Sequence, residues 1–325
     1  MRKLTERAEP VNGREIGKEI LHIALACAVS TFFYLTGLGL PLFILPLLLV
    51  ALYHGKKGSL IAFAVETAGL VLWNFIGNPL YEAVPDIALP LITIELYIPL
   101  SLSAAGVIWI LTSGKRIEAR LGLSILPAVL FIVLTGIVTG RDTALSLALT
   151  EHYGNVFETL LTMLLGEAPG EEFMAIFMDI FIQVTMSLAV PMSACFACAS
   201  FFIYETSRHS RETDWELKVR SLELDGRIIW GLIFSIAGVI LMRFVKLPPA
   251  IGSVLFSAAI LLSMLYFIQG FSVVSYWIGK RTDVKSSTLF TVLIMILLLA
   301  QGINIILFLA ISITGMAETF FDLRR

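Results

Sequence analysis

Residues 250–279 read AIGSVLFSAAILLSMLYFIQGFSVVSYWIG, a run of thirty residues without a charged side chain. A helix of about 20 apolar residues is enough to cross the hydrocarbon core of a bilayer. The apolar residues are continuous and do not alternate with polar ones, which favours a helix over a strand of a membrane barrel. The stretch therefore predicts a membrane-spanning helix that ends at the basic pair Lys280 and Arg281.

The whole chain is also rich in apolar residues. Of its 325 residues 58% are hydrophobic and only 15% are charged, with a mean hydropathy of +0.89. A soluble domain has about 45–50% apolar and about 25% charged residues. We therefore expect an all-α integral membrane protein surrounded by the lipid bilayer. The polar, basic N-terminus is followed by no small-residue cleavage site, so we expect the first helix to be retained.

Nine apolar runs predict about nine transmembrane helices, near residues 20–38, 40–54, 59–77, 87–112, 121–139, 173–204, 228–245, 250–279 and 286–314. They divide the chain into a tail at 1–19, a six-helix core at 20–204, a linker at 205–227 and a three-helix region at 228–325. Within the core, six apolar residues of the segment 141–172 follow a helical period: Val156, Phe157, Leu160, Leu161, Leu164 and Leu165. We predict that this segment is an amphipathic helix that covers the outer surface as a lid.

The Lys and Arg residues indicate the orientation. Eighteen of the 23 lie in the tail and in alternate gaps between the runs, and the other five lie in the remaining gaps or at the C-terminus. Loops rich in Lys and Arg stay on the cytoplasmic side. We therefore expect a multi-pass protein of the bacterial inner membrane with a cytoplasmic N-terminus and linker. Nine crossings would place the C-terminus outside, and an extra half-crossing near the end would reverse that.

Three carboxylates, Glu66, Glu95 and Asp179, fall inside predicted spans. A charge at the bilayer centre costs about 2.5–3.5 kcal/mol on insertion scales, so such residues usually face the bundle interior or water. No Lys or Arg lies in mid-span to pair with them. The carboxyls are then protonated, hydrated in a cavity, or matched by a cationic ligand. The alternative is a packing role, in which a protonated acid joins two helices by a hydrogen bond.

We predict a ligand-binding cavity that opens outward and contains these acids. At about 1.5 Å per residue, Glu95 and Asp179 lie in the outer half of their helices and Glu66 lies deeper. Two acids without a buried base favour a small cationic or polar ligand. The predicted site residues are Glu66, Asn74, Glu95, Tyr97, Asp179 and Gln183, the last one helical turn from Asp179.

The sequence carries no signature of catalysis, of a metal site or of nucleic-acid binding. It contains no HExxH, no GxSxG and no phosphate-cradling glycine loop, and its four His residues are scattered. Cys195 and Cys198 form a CxxC inside an apolar run, where they are read more simply as small apolar residues of a helix. We therefore expect no enzyme activity, no cofactor, no metal and no nucleic-acid partner.

Two segments near the C-terminus carry a resemblance to a known family. FIQGFSVV at 267–274 and GMAETFFDLRR at 315–325 resemble the YybS-like family of bacterial integral membrane proteins, whose function is unknown. The resemblance runs from about Ile20 to the end of the chain. The family usually has an Asp where Glu318 or its neighbour stands, which is a small departure.

The first six spans of that family are similar to the substrate-binding component of energy-coupling factor transporters. This similarity implies six helices, a cytoplasmic N-terminus and a substrate site that opens outward beneath loops. It also implies a small-residue patch on the first helix that docks on a coupling subunit, for which Ala24 and Ala28 have the spacing. Such components normally end after six helices, and the three further spans of this chain would either block that docking or replace it.

Two function hypotheses follow from the sequence. In the first, the protein binds or transports a small molecule through the outward cavity. In the second, it is a membrane scaffold that binds a protein partner through the C-terminal helices and the linker. The linker residues Asp214, Trp215, Leu217 and Val219 would form the docking face of such a scaffold.

Overall fold

The structure is a computed structural model. It describes residues 13–324 except 38, 78–91, 142, 167, 169, 210–212, 243, 246–248, 283 and 300–302. The predicted tail up to residue 12 therefore lies outside the described residues, as does the loop at 78–91.

The described residues are almost entirely helical and contain no β-strand. The α-helices in chain order are α1 (Gly13–Thr36), α2 (Leu45–Gly77), α3 (Tyr97–Leu111), α4 (Ile117–Arg141), α5 (Thr143–Leu165), α6 (Glu171–Arg208), α7 (Thr213–Arg220), α8 (Ile228–Leu241), α9 (Pro249–Arg281), α10 (Ser286–Leu299) and α11 (Ile303–Phe321). A 3-10 turn at Leu40–Leu42 joins α1 to α2.

Five helical segments among the described residues are long and apolar enough to cross a membrane. They are Ile16–Thr36, Leu40–Ile76, Glu172–Arg208, Ile251–Arg281 and Asn304–Phe321. Three shorter apolar helices accompany them, at Tyr97–Leu111, Ala119–Leu134 and Ile228–Leu241. The all-helical membrane class is thereby supported, whereas the predicted number of nine spans is not confirmed.

The helix α2 turns back on itself at Gly55. This glycine has φ 68° and ψ −170°, a backbone conformation essentially limited to glycine. The Ser59 hydroxyl donates to the carbonyl of Leu47 at 2.8 Å, although about 18 Å would separate these residues along a straight helix. The segments 45–54 and 56–77 are therefore separate helices, as the predicted spans at 40–54 and 59–77 require.

The largest hydrophobic core lies between α1, α2, α3 and α6. Its fully buried members include Phe43, Leu47, Phe63 and Leu102. Close packing is visible at Gly106 of α3, where a Cβ atom would overlap the ring of Phe63. Further clusters bury Ile229, Leu232 and Tyr266, and then Phe271, Leu293 and Ile311, among the C-terminal helices.

The helices α9 and α11 run side by side in the same direction. Ser312 of α11 donates to the carbonyl of Ser263 at 3.4 Å, and Trp277 near the end of α9 donates to the carbonyl of Leu323 at 2.9 Å. At Gly270 and Gly315 the two backbones touch, so that a Cβ atom on either glycine would overlap main-chain atoms of the other helix. Small residues permit such a close approach of membrane helices.

The end of the chain lies beside the linker. The Arg324 guanidinium donates to the carbonyl of Leu222 at 2.6 Å, and it also pairs with Glu318 at 3.3 Å. The expectation that nine crossings place the C-terminus on the side opposite the linker is therefore wrong. The expectation failed because the run 286–314 was counted as one span. The structure divides this run into the two helices α10 and α11, so that the chain returns to the linker.

We call the end of the molecule where Arg220, Leu222 and Arg324 lie the linker end. The opposite end carries α5, which occupies the segment predicted as an amphipathic lid. Phe157 of α5 packs against Phe177 and Phe181 of α6, with ring centroids 5.3 and 4.5 Å apart. Leu160 and Leu164 of the same helix are exposed, so α5 presents an apolar surface away from α6.

Candidate functional site

Glu66 is the most deeply buried of the predicted site residues. Only 3% of it is exposed, and the Thr31 hydroxyl of α1 donates to its two carboxyl oxygens at 3.1 and 3.4 Å. The Cys27 thiol and the Ser30 hydroxyl adjoin the same carboxyl group, while they donate to the carbonyls of Ala62 at 3.6 Å and Phe43 at 2.7 Å. Among the described residues, none of the ion pairs formed by Lys, Arg or His involves Glu66.

Glu66 also lies about half-way along the second helix of its candidate membrane-spanning segment. It is eleven residues after the turn at Gly55, which corresponds to about 16 Å along the helix. That distance is about half of the roughly 30 Å hydrocarbon core. The carboxyl group is therefore enclosed near the middle of this helix, between α1 and the second half of α2, which run side by side.

Asn74 lies two helical turns beyond Glu66 on nearly the same face of α2. It is 6% exposed, and its side-chain amide donates to the carbonyl of Leu70 at 2.9 Å. The amide oxygen of Asn74 forms no hydrogen bond among those that the structure describes. The two residues thus form a polar strip on a helix whose other faces are apolar.

Tyr97 and Glu95 lie at the beginning of α3 and point to different surroundings. Tyr97 is 7% exposed, and its hydroxyl donates to the carbonyl of Ala128 in α4 at 3.1 Å. Glu95 is exposed and lies near Tyr153 of α5. Burial raises the pKa of the Tyr153 phenol, and the negative charge of Glu95 adds to this effect.

Asp179 and Gln183 lie on an exposed face of α6. Asp179 is 26 residues from Glu205 at the linker end, which is about 39 Å along a straight helix. That length exceeds the roughly 30 Å hydrocarbon core, so Asp179 and Glu205 lie toward opposite ends of α6. A shared outward cavity of Glu95, Asp179 and Gln183 stays a prediction.

The predicted docking patch on α1 is accessible. Both Ala24 and Ala28 are exposed, on the side of the helix away from the buried residues Ile23 and Ala26. The docking of another subunit at this patch stays a prediction.

A second polar centre, which the sequence did not reveal, lies at the linker end. Arg120 of α4 and Glu205 of α6 form an ion pair at 2.8 Å, and both are almost fully buried. The indole nitrogen of Trp109 donates to the same Glu205 oxygen at 3.0 Å, and the Arg120 guanidinium lies 3.7 Å from the centre of the Trp109 ring. This centre ties α3, α4 and α6 together.

In the sequence, Arg120 lies in the gap between the predicted spans 87–112 and 121–139, and Glu205 is the first residue of the predicted linker. Their pairing spans 85 positions of the chain, and no local pattern signals a partner so far away. The only available signal was that each residue adjoins an apolar run on the same side of the membrane.

The linker is bound to the C-terminal helices of its own chain. Arg220 donates to the carbonyl of Val284 at 3.0 Å, and a Cβ atom at Gly279 would overlap the Arg220 guanidinium. Leu217 is 64% exposed, whereas the side chains of Asp214 and Trp215 lie outside the described residues. The linker therefore packs against the C-terminal helices, and its use by a protein partner stays a prediction.

Family models, curated proteins and solved structures were each compared with this chain, and none of them matches it. The class of protein is defined by the fold and by the buried residues Glu66 and Glu205. It is a multi-pass helical membrane protein with buried carboxylates. The resemblance to the YybS-like family and to energy-coupling factor components stays a prediction.

Proposed function

We propose that this membrane protein binds a small molecule together with a proton or a cation, and that the Glu66 carboxyl group holds the exchangeable charge. The observation that supports this proposal is the enclosure of Glu66 near the middle of its helix with a hydroxyl donor from Thr31. Ionisable residues inside the membrane commonly belong to ion or substrate pathways. The function is therefore binding or transport rather than catalysis.

The surroundings of Glu66 suit a group that gains and loses a proton or a cation. A fixed Lys or Arg partner would keep the carboxylate charged at all times, whereas Thr31, Ser30 and Cys27 are neutral. Neutral hydroxyl groups stabilise the charged and the protonated carboxyl alike, because they can donate or accept. Asn74 extends the polar strip toward the end of the molecule that carries α5.

The orientation belongs to the same proposal. The basic linker and both chain ends face the cytoplasm of a bacterial inner membrane, since loops rich in Lys and Arg stay inside. The end that carries α5, with Glu95, Asp179 and Gln183, then faces outward and provides the route of entry toward Asn74 and Glu66. A relationship to the substrate-binding components of energy-coupling factor transporters would agree with this direction.

Labelling with dicyclohexylcarbodiimide tests the proposal, because this reagent modifies protonated carboxyl groups in apolar surroundings. The full-length protein in detergent is labelled between pH 5 and pH 9, and the modified residue is identified by mass spectrometry. We expect labelling of Glu66 that declines as the pH rises and that Na⁺, K⁺ or a polyamine slows. Glu66→Gln should abolish the labelling, and Glu95→Gln should leave it unchanged.

A carboxyl group that only joins α1 to α2 would behave differently. It would stay protonated throughout this pH range, so that its labelling would be constant and insensitive to every added cation. That result would overturn the proposed function and leave Glu66 with a packing role.

A further inference from the structure

A basic cavity lies at the linker end, where three segments of the chain meet. Its volume is about 540 Å³, and its walls are the turn before α4 with the first residues of α4, the end of α6, and the end of α7 with the segment that follows it. Cavities of about 300–1,000 Å³ are typical of small-molecule sites. This cavity is remote from Glu66 and takes no part in the function proposed above.

The charge of the cavity is strongly positive. Of its two acids, Glu205 is already neutralised by the buried Arg120, which leaves Glu223 as the other negative group. The remaining Lys and Arg side chains of the wall are Lys115, Arg116, Arg208 and Lys218, and all four are exposed toward solvent. Four cations against one acid produce a field that attracts anions.

Two further features of the wall favour an anion. The side chain of Arg120 is almost fully buried, and its Nε atom has no hydrogen-bond partner among the described atoms. Ile117, the first residue of α4, also belongs to the wall. The first turn of a helix presents unpaired N–H groups and a positive dipole end, which bind phosphate and other anions.

We propose that this cavity binds a phosphate-bearing ligand. Arg and Lys groups from separate segments can surround the three or four oxygens of a phosphate, whereas a single carboxylate would engage only part of the set. Basic pockets between membrane helices on the cytoplasmic side bind lipid head groups, and a soluble phosphate ester offers the same chemistry. The bound phosphate would bridge α4 and α6 to the linker at Lys218.

This bridge gives the site a structural consequence. The linker contacts the C-terminal helices through Arg220 and Arg324. A phosphate held between Lys218 and Arg208 would therefore connect the six-helix core to the C-terminal helices. Occupancy of the cavity would then tighten the contact between these two parts of the molecule.

The test is a binding titration of the purified full-length protein in a neutral detergent with three probes. They are dihexanoyl phosphatidylglycerol, glycerol phosphate and dihexanoylglycerol, which carry the phosphate with tails, the phosphate alone and the tails alone. We expect both phosphate probes to bind more tightly than dihexanoylglycerol. Tighter binding of the phospholipid identifies a lipid head group as the natural source, and equal or tighter binding of glycerol phosphate identifies a soluble ester.

Two double variants and a matched control locate the site. Each double variant should weaken phosphate binding by about tenfold or more, because charge-assisted hydrogen bonds are lost. The first combines Arg208→Gln with Lys218→Gln, and the second combines Lys115→Gln with Arg116→Gln. Lys56→Gln with Lys57→Gln removes the same charge from an exposed turn outside the cavity, and it should change binding less than about twofold. All four cavity residues are exposed, so the variants should fold.

Either of two results would overturn the inference. One is binding of dihexanoylglycerol that equals the binding of both phosphate probes. The other is wild-type affinity for phosphate in both double variants of the cavity. Neither result bears on the carbodiimide labelling of Glu66, so the two proposals fail separately.

Discussion

At the scale of single residues, two of the carboxylates buried among the described residues, Glu66 and Glu205, have contrasting surroundings. Glu205 has a full set of charged and polar partners, namely Arg120, Trp109 and His209. The neighbours of Glu66 among the described residues, Thr31, Cys27 and Ser30, are neutral. A carboxylate with a buried cation is fixed in its charged form, whereas one among hydroxyl groups can change its charge. Glu205 therefore links α3, α4 and α6, and the contrast supports the exchange role proposed above for Glu66.

Removal of the Glu205 side chain should destabilise the protein strongly. Glu205→Ala leaves the buried Arg120 without a counter-charge, which costs about 3–5 kcal/mol of the free energy of unfolding. Combining Arg120→Met with Glu205→Gln should recover most of this loss, because no buried charge remains and the Gln oxygen still accepts from Trp109. Denaturant unfolding in mixed micelles measures these differences.

Arg208→Ala is the control for this prediction. Arg208 is 40% exposed and lies 3.9 Å from Glu205, so its pairing should contribute at most about 1 kcal/mol. A loss of stability in Glu205→Ala no larger than in Arg208→Ala would show that the buried pair does not hold α4 and α6 together.

At the scale of helices, the contact between α9 and α11 depends on glycine. Gly270→Ala should destabilise the protein by about 1–3 kcal/mol, the usual range for overpacking, since its Cβ atom would overlap the carbonyl of Ile311. Gly122→Ala in α4 is the matched control, because no atom lies within 4 Å of its added Cβ. The control should be neutral or stabilising by up to about 1 kcal/mol.

The same unfolding measurement in micelles compares the two alanine variants. Equal stability of Gly270→Ala and Gly122→Ala would contradict the close approach of α9 and α11. The segment 267–274, which carries part of the family resemblance, would then need another explanation than helix contact.

Much of the helical layout could be predicted from hydropathy alone. The turn at Gly55 coincides with the polar gap of Lys56, Lys57 and Gly58, and α6 covers the predicted span 173–204. The division of the run 286–314 into α10 and α11 could not be predicted, because the apolar residues continue through it. Composition measures whether a segment prefers lipid, and it does not report where the chain reverses.

The candidate site was only partly accessible to sequence reasoning. A carboxylate within an apolar run, such as Glu66, is visible from its neighbours in the sequence. The depth of Asp179 in the membrane stays a prediction, whereas its exposure on α6 could not be read from the apolar run around it. The cavity at the linker end joins segments near residues 115, 208 and 218, which only the tertiary structure brings together.

At the scale of the whole molecule, the linker organises the structure. It carries α7, contacts the end of α9, and receives Arg324 from the end of the chain. The basic cavity, the buried pair of Arg120 and Glu205, and the C-terminus therefore lie at one end. The exposed acids Glu95 and Asp179 lie toward the other end, together with α5. This separation of charge supports the proposed orientation, in which the linker end faces the cytoplasm.

The most direct test of this account is the accessibility of single cysteines in intact bacterial cells. Lys218→Cys, Arg325→Cys and Gly154→Cys are introduced separately after Cys27, Cys195 and Cys198 have been replaced by Ser. A membrane-impermeant maleimide should label Gly154→Cys in intact spheroplasts. It should label Lys218→Cys and Arg325→Cys only after permeabilisation. Labelling of Arg325→Cys in intact spheroplasts, with Lys218→Cys still protected, would contradict the placement of the C-terminus beside the linker.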